Sequence, residues 1–141
     1  MFLCKMNKYN LETIQLINLF ESLTHTNVKS CFSYNEMLVF IVDENQGRKA
    51  VGVGGKNVKR LNTLMNKKIK IVEYSSEPVK FIKGFISPIV AEEVNVDEKM
   101  INIKVSSMRD RGVLIGRNSK NLNMLRELAK KYFDLDDVKI L

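Results

Sequence analysis

Apolar positions along the first half of the chain follow two different periods. In LETIQLINLFESLT (11–24) they recur every three to four residues, which predicts an amphipathic helix with Asn10 available as its N-cap. Two runs rich in β-branched and aromatic residues follow at 28–34 and 37–43, separated by the polar pair Asn35-Glu36, and predict a hairpin. The remaining predicted elements of this half are a short helix at 46–51, a glycine turn, a helix at 56–66 and an alternating strand at 68–74.

The same pattern returns in the second half at a fixed offset. A shift of 64 positions aligns AVGVGGKNVKRLNTL (50–64) with LIGRNSKNLNMLREL (114–128). Identical residues then meet at five positions: Gly52 and Gly116, Lys56 and Lys120, Asn57 and Asn121, Leu61 and Leu125, Leu64 and Leu128. The offset also aligns the alternating residues Met37, Val39 and Ile41 with Ile101, Ile103 and Val105. A period shared by strand, turn and helix predicts two copies of one unit.

The second copy is predicted to contain the same elements as the first. They are a helix at 79–86, strands at 90–96 and 100–106, a short helix at 109–115, a helix at 119–133 and a strand at 134–141. Each copy therefore reads α-β-β-α-turn-α-β. The segment SSEP (75–78) separates them, because Ser caps helices and Pro is tolerated in a first turn. We expect an α+β protein with two domains, residues 1–75 and 76–141.

Charge and composition narrow the class of protein. The 141 residues are 45% hydrophobic and carry a net charge of +7, which favours a polyanionic partner. No apolar run approaches the roughly 18 residues that cross a bilayer, and MFLCKMNKYN lacks an apolar signal core, so we expect a cytoplasmic protein without a membrane role. With Cys4 and Cys31 far apart and His25 the single histidine, neither a metal site nor a cofactor is expected.

The glycine turn does not match the phosphate-binding loops of enzymes. A P-loop requires Ser or Thr after Gly55-Lys56 and a glycine five positions before Gly55, where this chain has Asn57 and Ala50. A dinucleotide fingerprint starting at Gly52 would need a third glycine at 57. The carboxylate pairs fall at predicted strand ends and turns, which is typical of solvated surface; they are Glu92-Glu93, Asp97-Glu98 and Asp136-Asp137. No catalytic residue is predicted.

The turn is suited to an anion of another kind. A helix that begins at a bend leaves its first N–H groups pointing outward, where they can bind phosphate oxygens. Glycine permits positive φ and close approach of a sugar-phosphate backbone. Residues 46–72 add eight basic residues and no acidic one. Two such turns at one spacing favour nucleic acid over a merely solvated surface.

The string Val51-Gly52-Val53-Gly54-Gly55-Lys56-Asn57-Val58, between two helices, resembles the GxxG loop of a KH domain. Since the hairpin precedes the loop, the order of elements resembles type II, the prokaryotic form. Together with INLFESLT, IVEYSSEP and YFDLDDVKIL, the tandem arrangement resembles the archaeal NusA-type transcription factors. The resemblance implies two KH domains that bind single-stranded RNA during transcription elongation, termination or antitermination. It also suggests RNA polymerase as a second partner, and we expect a monomer.

The family's loop role falls on two sets of residues in this sequence. We predict RNA contacts at Gly52, Val53, Gly54, Gly55, Lys56, Asn57 and Arg60, and at Gly116, Arg117, Asn118, Ser119, Lys120 and Asn121. Ser119 stands where the pattern has its last glycine, and as a good N-cap it is expected to start the following helix. Its Cβ and hydroxyl occupy a place of close approach, so the second loop is predicted to be the weaker clamp.

Three alternatives share parts of this pattern. A tandem KH protein acting in ribosomal RNA maturation would show every feature described so far. A phosphate-binding enzyme is disfavoured, since no Cys, His, Ser and carboxylate set converges near the glycine turns. A scaffold that binds protein through the apolar groove expected beside each KH loop would show no RNA affinity at low salt.

Overall fold

The computed structural model describes residues 11–141 of the chain. Cys4 and the predicted N-cap Asn10 lie outside the described residues. The described chain divides into two compact units, the first ending at Tyr74 and the second beginning at Ser75. No helix among residues 11–141 combines the length and the apolar character that a membrane crossing requires.

The first unit contains the elements that the periodicity predicts, and their bounds agree with the prediction to within one residue at each end. They are α1 (Leu11–Thr24), β1 (Val28–Tyr34), β2 (Met37–Val42), α2 (Gly47–Val51), α3 (Lys56–Met65) and β3 (Ile69–Glu73). A turn of 3₁₀-helix, Val53–Gly55, joins α2 to α3. His25 follows α1 with φ of 56°, is exposed, and donates its backbone N–H to the Glu21 carbonyl at 2.8 Å, which makes it part of a helix end.

The second unit repeats the order. Its elements are α4 (Pro78–Ile86), β4 (Glu93–Asp97), β5 (Met100–Lys104), α5 (Met108–Ile115), α6 (Lys120–Phe133) and β6 (Asp137–Ile140). The prediction of a strand from residue 90 is wrong for its first three residues, because β4 begins only at Glu93. Val90 is 84% exposed, and the sequence alone does not distinguish an exposed valine from one that belongs to a strand.

The two sheets have one topology. Each has three strands in chain order, with an antiparallel hairpin and a parallel third strand on the same central strand. The first hairpin turns at Asn35 and Glu36, both with positive φ, as expected for a two-residue turn that matches strand twist. A parallel third strand requires a crossover, and the helix–turn–helix segment that contains the glycine turn supplies it in each unit.

Helices pack on the sheet of the first unit around an aromatic stack. Phe20 of α1 and Phe40 of β2 are fully buried, with ring centroids 4.2 Å apart. Leu61 and Met65 of α3 join the same cluster. In the second unit Phe81 of α4 lies with its ring centroid 5.6 Å from that of Phe133 at the end of α6. The glycine turns therefore connect helices anchored to their sheets.

The repeat has a one-residue difference that the 64-position shift conceals. Met37 pairs with Tyr34 across the first hairpin as Met100 pairs with Asp97 across the second, so the strands are related by 63 positions. The predicted equivalence of Met37, Val39 and Ile41 with Ile101, Ile103 and Val105 is therefore wrong, and the counterparts are Leu38, Phe40 and Val42. Because MLVFIV is apolar at every position and β2 is buried along its length, the sequence has no alternation that could fix the register.

Cys31 is a buried thiol in β1 and is expected to be unreactive in the folded protein. It is 3% exposed, and desolvation raises its pKa to about 12, so roughly one thiol in ten thousand is ionised at pH 8. In a Cys4→Ser background, iodoacetamide should leave Cys31 unmodified at pH 8 and modify it after urea unfolding. Mass spectrometry reads out the adduct, and rapid alkylation of the folded protein would contradict this burial.

Candidate nucleic-acid interface

The first glycine turn reverses the chain between α2 and α3 in a conformation that needs glycine. Gly52 ends α2 with φ 81° and ψ 166°, donating its N–H to the Arg48 carbonyl at 3.0 Å. Gly54 and Gly55 follow with φ of 62° and 76°, and Gly55 donates its N–H to the Gly52 carbonyl at 3.1 Å. The Val53 side chain at the tip is 94% exposed. The turn is a tight, outward-facing bend.

The second turn has the same backbone with different side chains. Gly116 has φ 76° and ψ 170°, and its N–H donates to the Gly112 carbonyl at 2.8 Å. Asn118 and Ser119 take the left-handed conformations of Gly54 and Gly55, with φ of 57° and 60°. Ser119 donates its N–H to the Gly116 carbonyl at 3.2 Å, as Gly55 does to Gly52. The two sequences VGG and RNS thus adopt the same backbone conformation in their separate turns.

Both turns leave a pair of adjacent backbone N–H groups at the tip. Within residues 11–141, no backbone hydrogen bond uses the N–H of Val53 or Gly54, and none uses that of Arg117 or Asn118. All four residues are exposed, and Gly54 and Asn118 have positive φ. Exposed N–H groups at the start of a helix are the chemistry that binds phosphate oxygens.

An asparagine in each unit holds its turn closed. The Asn57 side-chain nitrogen donates to the Lys49 carbonyl of α2 at 3.2 Å, and the Asn121 nitrogen donates to the Val113 carbonyl of α5 at 2.8 Å. Asn121 is buried to 7% exposure. The 64-position offset relates both donors and both acceptors. These two amides, predicted as RNA contacts, therefore also have an internal role of joining the two helices of their unit.

The same asparagines explain the first glycine of each turn. A Cβ on Gly52 would lie 2.9 Å from Cγ of Asn57, and one on Gly116 would lie 2.8 Å from Cγ of Asn121. The sequence indicated that these glycines allow close approach of an RNA backbone, but at these two positions the space is filled by the protein's own side chain. A Cβ at Gly54 or Gly55 would meet nothing within 4 Å, so those glycines follow from backbone conformation.

Ser119 begins α6 by a route other than the one predicted. The helix does start at Lys120, but Ser119 has the left-handed conformation and its hydroxyl makes no cap hydrogen bond. Capping by serine requires extended backbone, which Ser107 has when its hydroxyl accepts the Arg109 and Asp110 N–H groups at the start of α5. The capping role predicted for Ser119 is therefore wrong, although the helix boundary is right.

Basic side chains surround both turns without internal partners. Among residues 11–141, no carboxylate lies within ion-pair distance of the exposed basic residues that flank the turns, which are Arg48, Lys49, Lys56, Lys59, Arg60, Arg117 and Lys120. Ion pairs elsewhere in that part of the chain include Lys99–Asp134, Lys104–Glu92 and Arg126–Asp137. The positive charge at the turns is therefore available to an external anion.

A groove of about 330 Å³ runs beside the second turn, between the helices and the third strand. Ile115 ends α5 and Leu122 lies in the first turn of α6, so the groove begins next to the loop. Its walls combine apolar and charged side chains, namely Met100, Arg111, Ile115, Leu122, Arg126, Asp137, Val138, Lys139 and Ile140. A groove with both apolar and charged side chains suits a ligand that has apolar faces and polar edges, such as a nucleobase.

The corresponding surface of the first unit is apolar and basic. Val51 and Val58, the counterparts of Ile115 and Leu122, are half-buried, as is Ile71 on β3. Lys70 lies between Ile69 and Ile71, and burial lowers its pKa by desolvating the ammonium group. No RNA contact was predicted from the sequence at these groove residues, nor at Arg111, Arg126 and Lys139. Their signal is the i, i+4 spacing of Leu122 and Arg126, which places both on one helix face.

The described residues contain no group of three or more His, Cys, Asp and Glu side chains that could hold a metal ion. The carboxylate pairs lie on strand ends and turns as predicted, with Glu92, Asp97, Glu98 and Asp136 exposed. Asp137 is the exception, since it lies in the groove beside Arg126.

No protein-family model matches the chain. A probable transcription termination protein NusA of Methanococcus vannielii is 34% identical over 138 residues, covering 95% of this chain and 79% of the relative. One from Halobacterium salinarum is 28% identical, covering 92% and 94%. The crystal structure of APE1850 is 32% identical with a TM-score of 0.66, covering 94% of this chain and all of that one. The two α+β units are consistent with tandem KH-like domains, and the chain belongs to the archaeal NusA family of transcription termination proteins.

Proposed function

We propose that this protein is a non-catalytic transcription factor that binds single-stranded RNA through two type II KH domains, residues 1–75 and 76–141. The observation that carries the proposal is the repeated turn, with one backbone conformation, two outward N–H groups and unpaired basic side chains in each copy. The order α-β-β-α-α-β with a parallel third strand supports type II. The protein acts as a monomer in the cytoplasm.

The chemistry of the turn favours a phosphodiester backbone as its ligand. Adjacent N–H groups donate to the two non-bridging oxygens of a phosphate. The positive end of the helix dipole, at the N-terminus of the following helix, adds to the attraction. Lys56 and Arg60 then flank the first turn, and Arg117 and Lys120 flank the second. A KH-type loop clamps about four nucleotides in this way, while the bases lie in the neighbouring groove and are read on their edges.

The transcriptional role rests on the relatives, which are named probable transcription termination proteins. We infer the same class of role here, with nascent RNA as ligand and RNA polymerase as partner. Crosslinking in cells followed by sequencing of the bound RNA tests both ligand and transcript class. Nascent transcripts and copurifying polymerase are expected. Recovery of ribosomal precursor RNA with pre-ribosomal particles would instead assign the protein to ribosome maturation.

Adding a cation at the tip of the first turn is expected to strengthen RNA binding. Val53 is 94% exposed and occupies the position of Arg117, so Val53→Arg should fit the turn without altering its packing. One further phosphate contact should steepen the dependence of log affinity on log salt by about 0.7 for a single strand. Fluorescence anisotropy with a short RNA at several salt concentrations measures the slope. Val53→Gln is the neutral control, and an unchanged slope in Val53→Arg would contradict a phosphate at this tip.

A further inference from the structure

The groove of the second unit contains an arginine fixed by two neighbours. Arg126 of α6 donates from Nε to Asp137 Oδ1 at 2.6 Å and from Nη1 to Asn123 Oδ1 at 3.1 Å. The Arg126 side chain is 38% exposed and lines the groove together with Leu122 and Val138. A guanidinium has five N–H donors, and these two bonds use two of them. Arg126 is therefore held in place with donors left for a ligand.

Asp137 is held in its turn by the backbone. Its Oδ1 also accepts the Val138 N–H at 2.7 Å. Desolvation acts to raise the pKa of this carboxyl, but the bonds from Val138 and Arg126 and the charges of Arg126 and Lys130 outweigh it and lower the pKa. The carboxylate thus stays ionised at neutral pH, and Arg126 keeps its partner.

In the first unit, a different residue accepts the hydrogen bond from the backbone N–H at the start of the third strand. There the N–H of Ile69, the counterpart of Val138, donates to Oδ1 of Asn62 at 2.9 Å. Asn62 is the counterpart of Arg126 at the 64-position offset, and Lys68 stands where the second unit has Asp137. Because Asp137 takes over the strand N–H, position 126 is released from a structural role. The two units therefore differ at this position, where the first has an amide bonded to the strand and the second has a guanidinium.

We propose that Arg126 is a specificity-determining residue of the second groove and that it selects guanine over adenine. This proposal rests on the proposed RNA-binding function. Guanine presents two adjacent acceptors, O6 and N7, which match paired N–H donors of arginine, whereas adenine presents an amino donor beside N7. The corresponding surface of the first unit lacks this guanidinium, because Asn62 stands there and bonds to the strand. Asp137 acts as a positioning residue that fixes the plane of Arg126.

The test uses the full chain and two short single-stranded RNAs of uridine and adenosine that differ at one central position, guanosine or adenosine. The wild-type protein should bind the guanosine RNA at least about fivefold more tightly. Arg126→Asn, which installs the residue of the first unit, should bring the ratio close to one. Arg126→Lys keeps the charge but lacks the planar pair of donors, so it should retain overall affinity and lose the preference. Replacing the guanosine by 7-deazaguanosine should lower wild-type affinity toward that of the adenosine RNA.

Arg111→Asn is the matched control, because Arg111 lines the same groove and has no ion-pair partner among residues 11–141. It should weaken binding of both RNAs equally and leave their ratio intact. Asp137→Asn should reduce the guanine preference while Arg126 is still present. Equal affinity of the wild-type protein for both RNAs, with binding still sensitive to the loops, would overturn this assignment and leave the proposed function standing. Absence of RNA binding at low salt would overturn the proposed function itself.

Discussion

Two aspartates at the tip of the first turn, Val53→Asp with Gly54→Asp, are expected to weaken single-stranded RNA binding at least about tenfold. The carboxylates would stand beside the outward N–H groups and repel the phosphate that we propose to bind there. Aspartate tolerates the left-handed backbone at position 54, and a Cβ there meets no neighbouring atom, so the fold should survive. The matched control, Val53→Asn with Gly54→Asn, has nearly the same shape without the charge. Binding titrations by anisotropy measure both.

Replacing Arg117 and Asn118 by aspartate should reduce RNA affinity less. The Cβ and hydroxyl of Ser119 hinder close approach of the RNA backbone at the second turn, so this turn is predicted to contribute less to binding. This ordering is a sharp test, because the charge changes by −3 at the second turn (from +1 to −2) and by −2 at the first (from 0 to −2). Charge alone would therefore produce the larger loss at the second turn. Equal or reversed losses would contradict the ranking of the two clamps.

Gly116→Ala is expected to destabilise the second unit by about 2 to 4 kcal/mol. Its φ of 76° with ψ of 170° lies in a region that is almost exclusive to glycine, and the added Cβ would lie 2.8 Å from Asn121 Cγ. Since Asn121 is the residue that ties α6 to α5, relief of this clash would break its bond to Val113. RNA affinity should fall with stability, because the turn itself is displaced.

Gly112→Ala is the control variant for Gly116→Ala. Gly112 is in the interior of α5, has an ordinary helical backbone, and a Cβ there would meet nothing within 4 Å. The substitution should raise the free energy of unfolding by about 0.5 to 1 kcal/mol. Urea unfolding followed by circular dichroism measures both variants. A stability of Gly116→Ala equal to the wild type would show that the turn does not require glycine at this position.

Much of the fold could be predicted from the sequence because its elements carry separate periods. The helix Leu11–Thr24 and the hairpin turn at Asn35-Glu36 were predicted with their bounds nearly right. The register of β2 was not predicted correctly, because a strand buried along its length has no alternation of apolar and polar residues. The second copy has one extra residue between its second strand and its glycine turn. Neither the strand pattern nor the turn pattern constrains the number of residues in that segment.

The positions of the two glycine turns were predicted correctly, but the contacts that hold the turns together were predicted only in part. Repeated glycines and lysines located both turns, since those residue types are required locally. The bond from Asn57 or Asn121 back to the preceding helix depends on how two helices cross, which no local pattern encodes. The Arg126–Asp137 pair joins residues on different elements, so it became apparent only when α6 and β6 were brought together.

The central claim is that RNA is held at the two glycine turns, and an NMR titration tests it most directly. In ¹⁵N-labelled full-length protein, short single-stranded RNA should shift the amide signals of Val53, Gly54, Arg117 and Asn118 the most, because their N–H groups receive the phosphates. Amides of α1, such as that of Gln15, should stay nearly unchanged. The largest shifts falling outside both turns and their grooves, with these four signals unmoved at saturating RNA, would contradict the account.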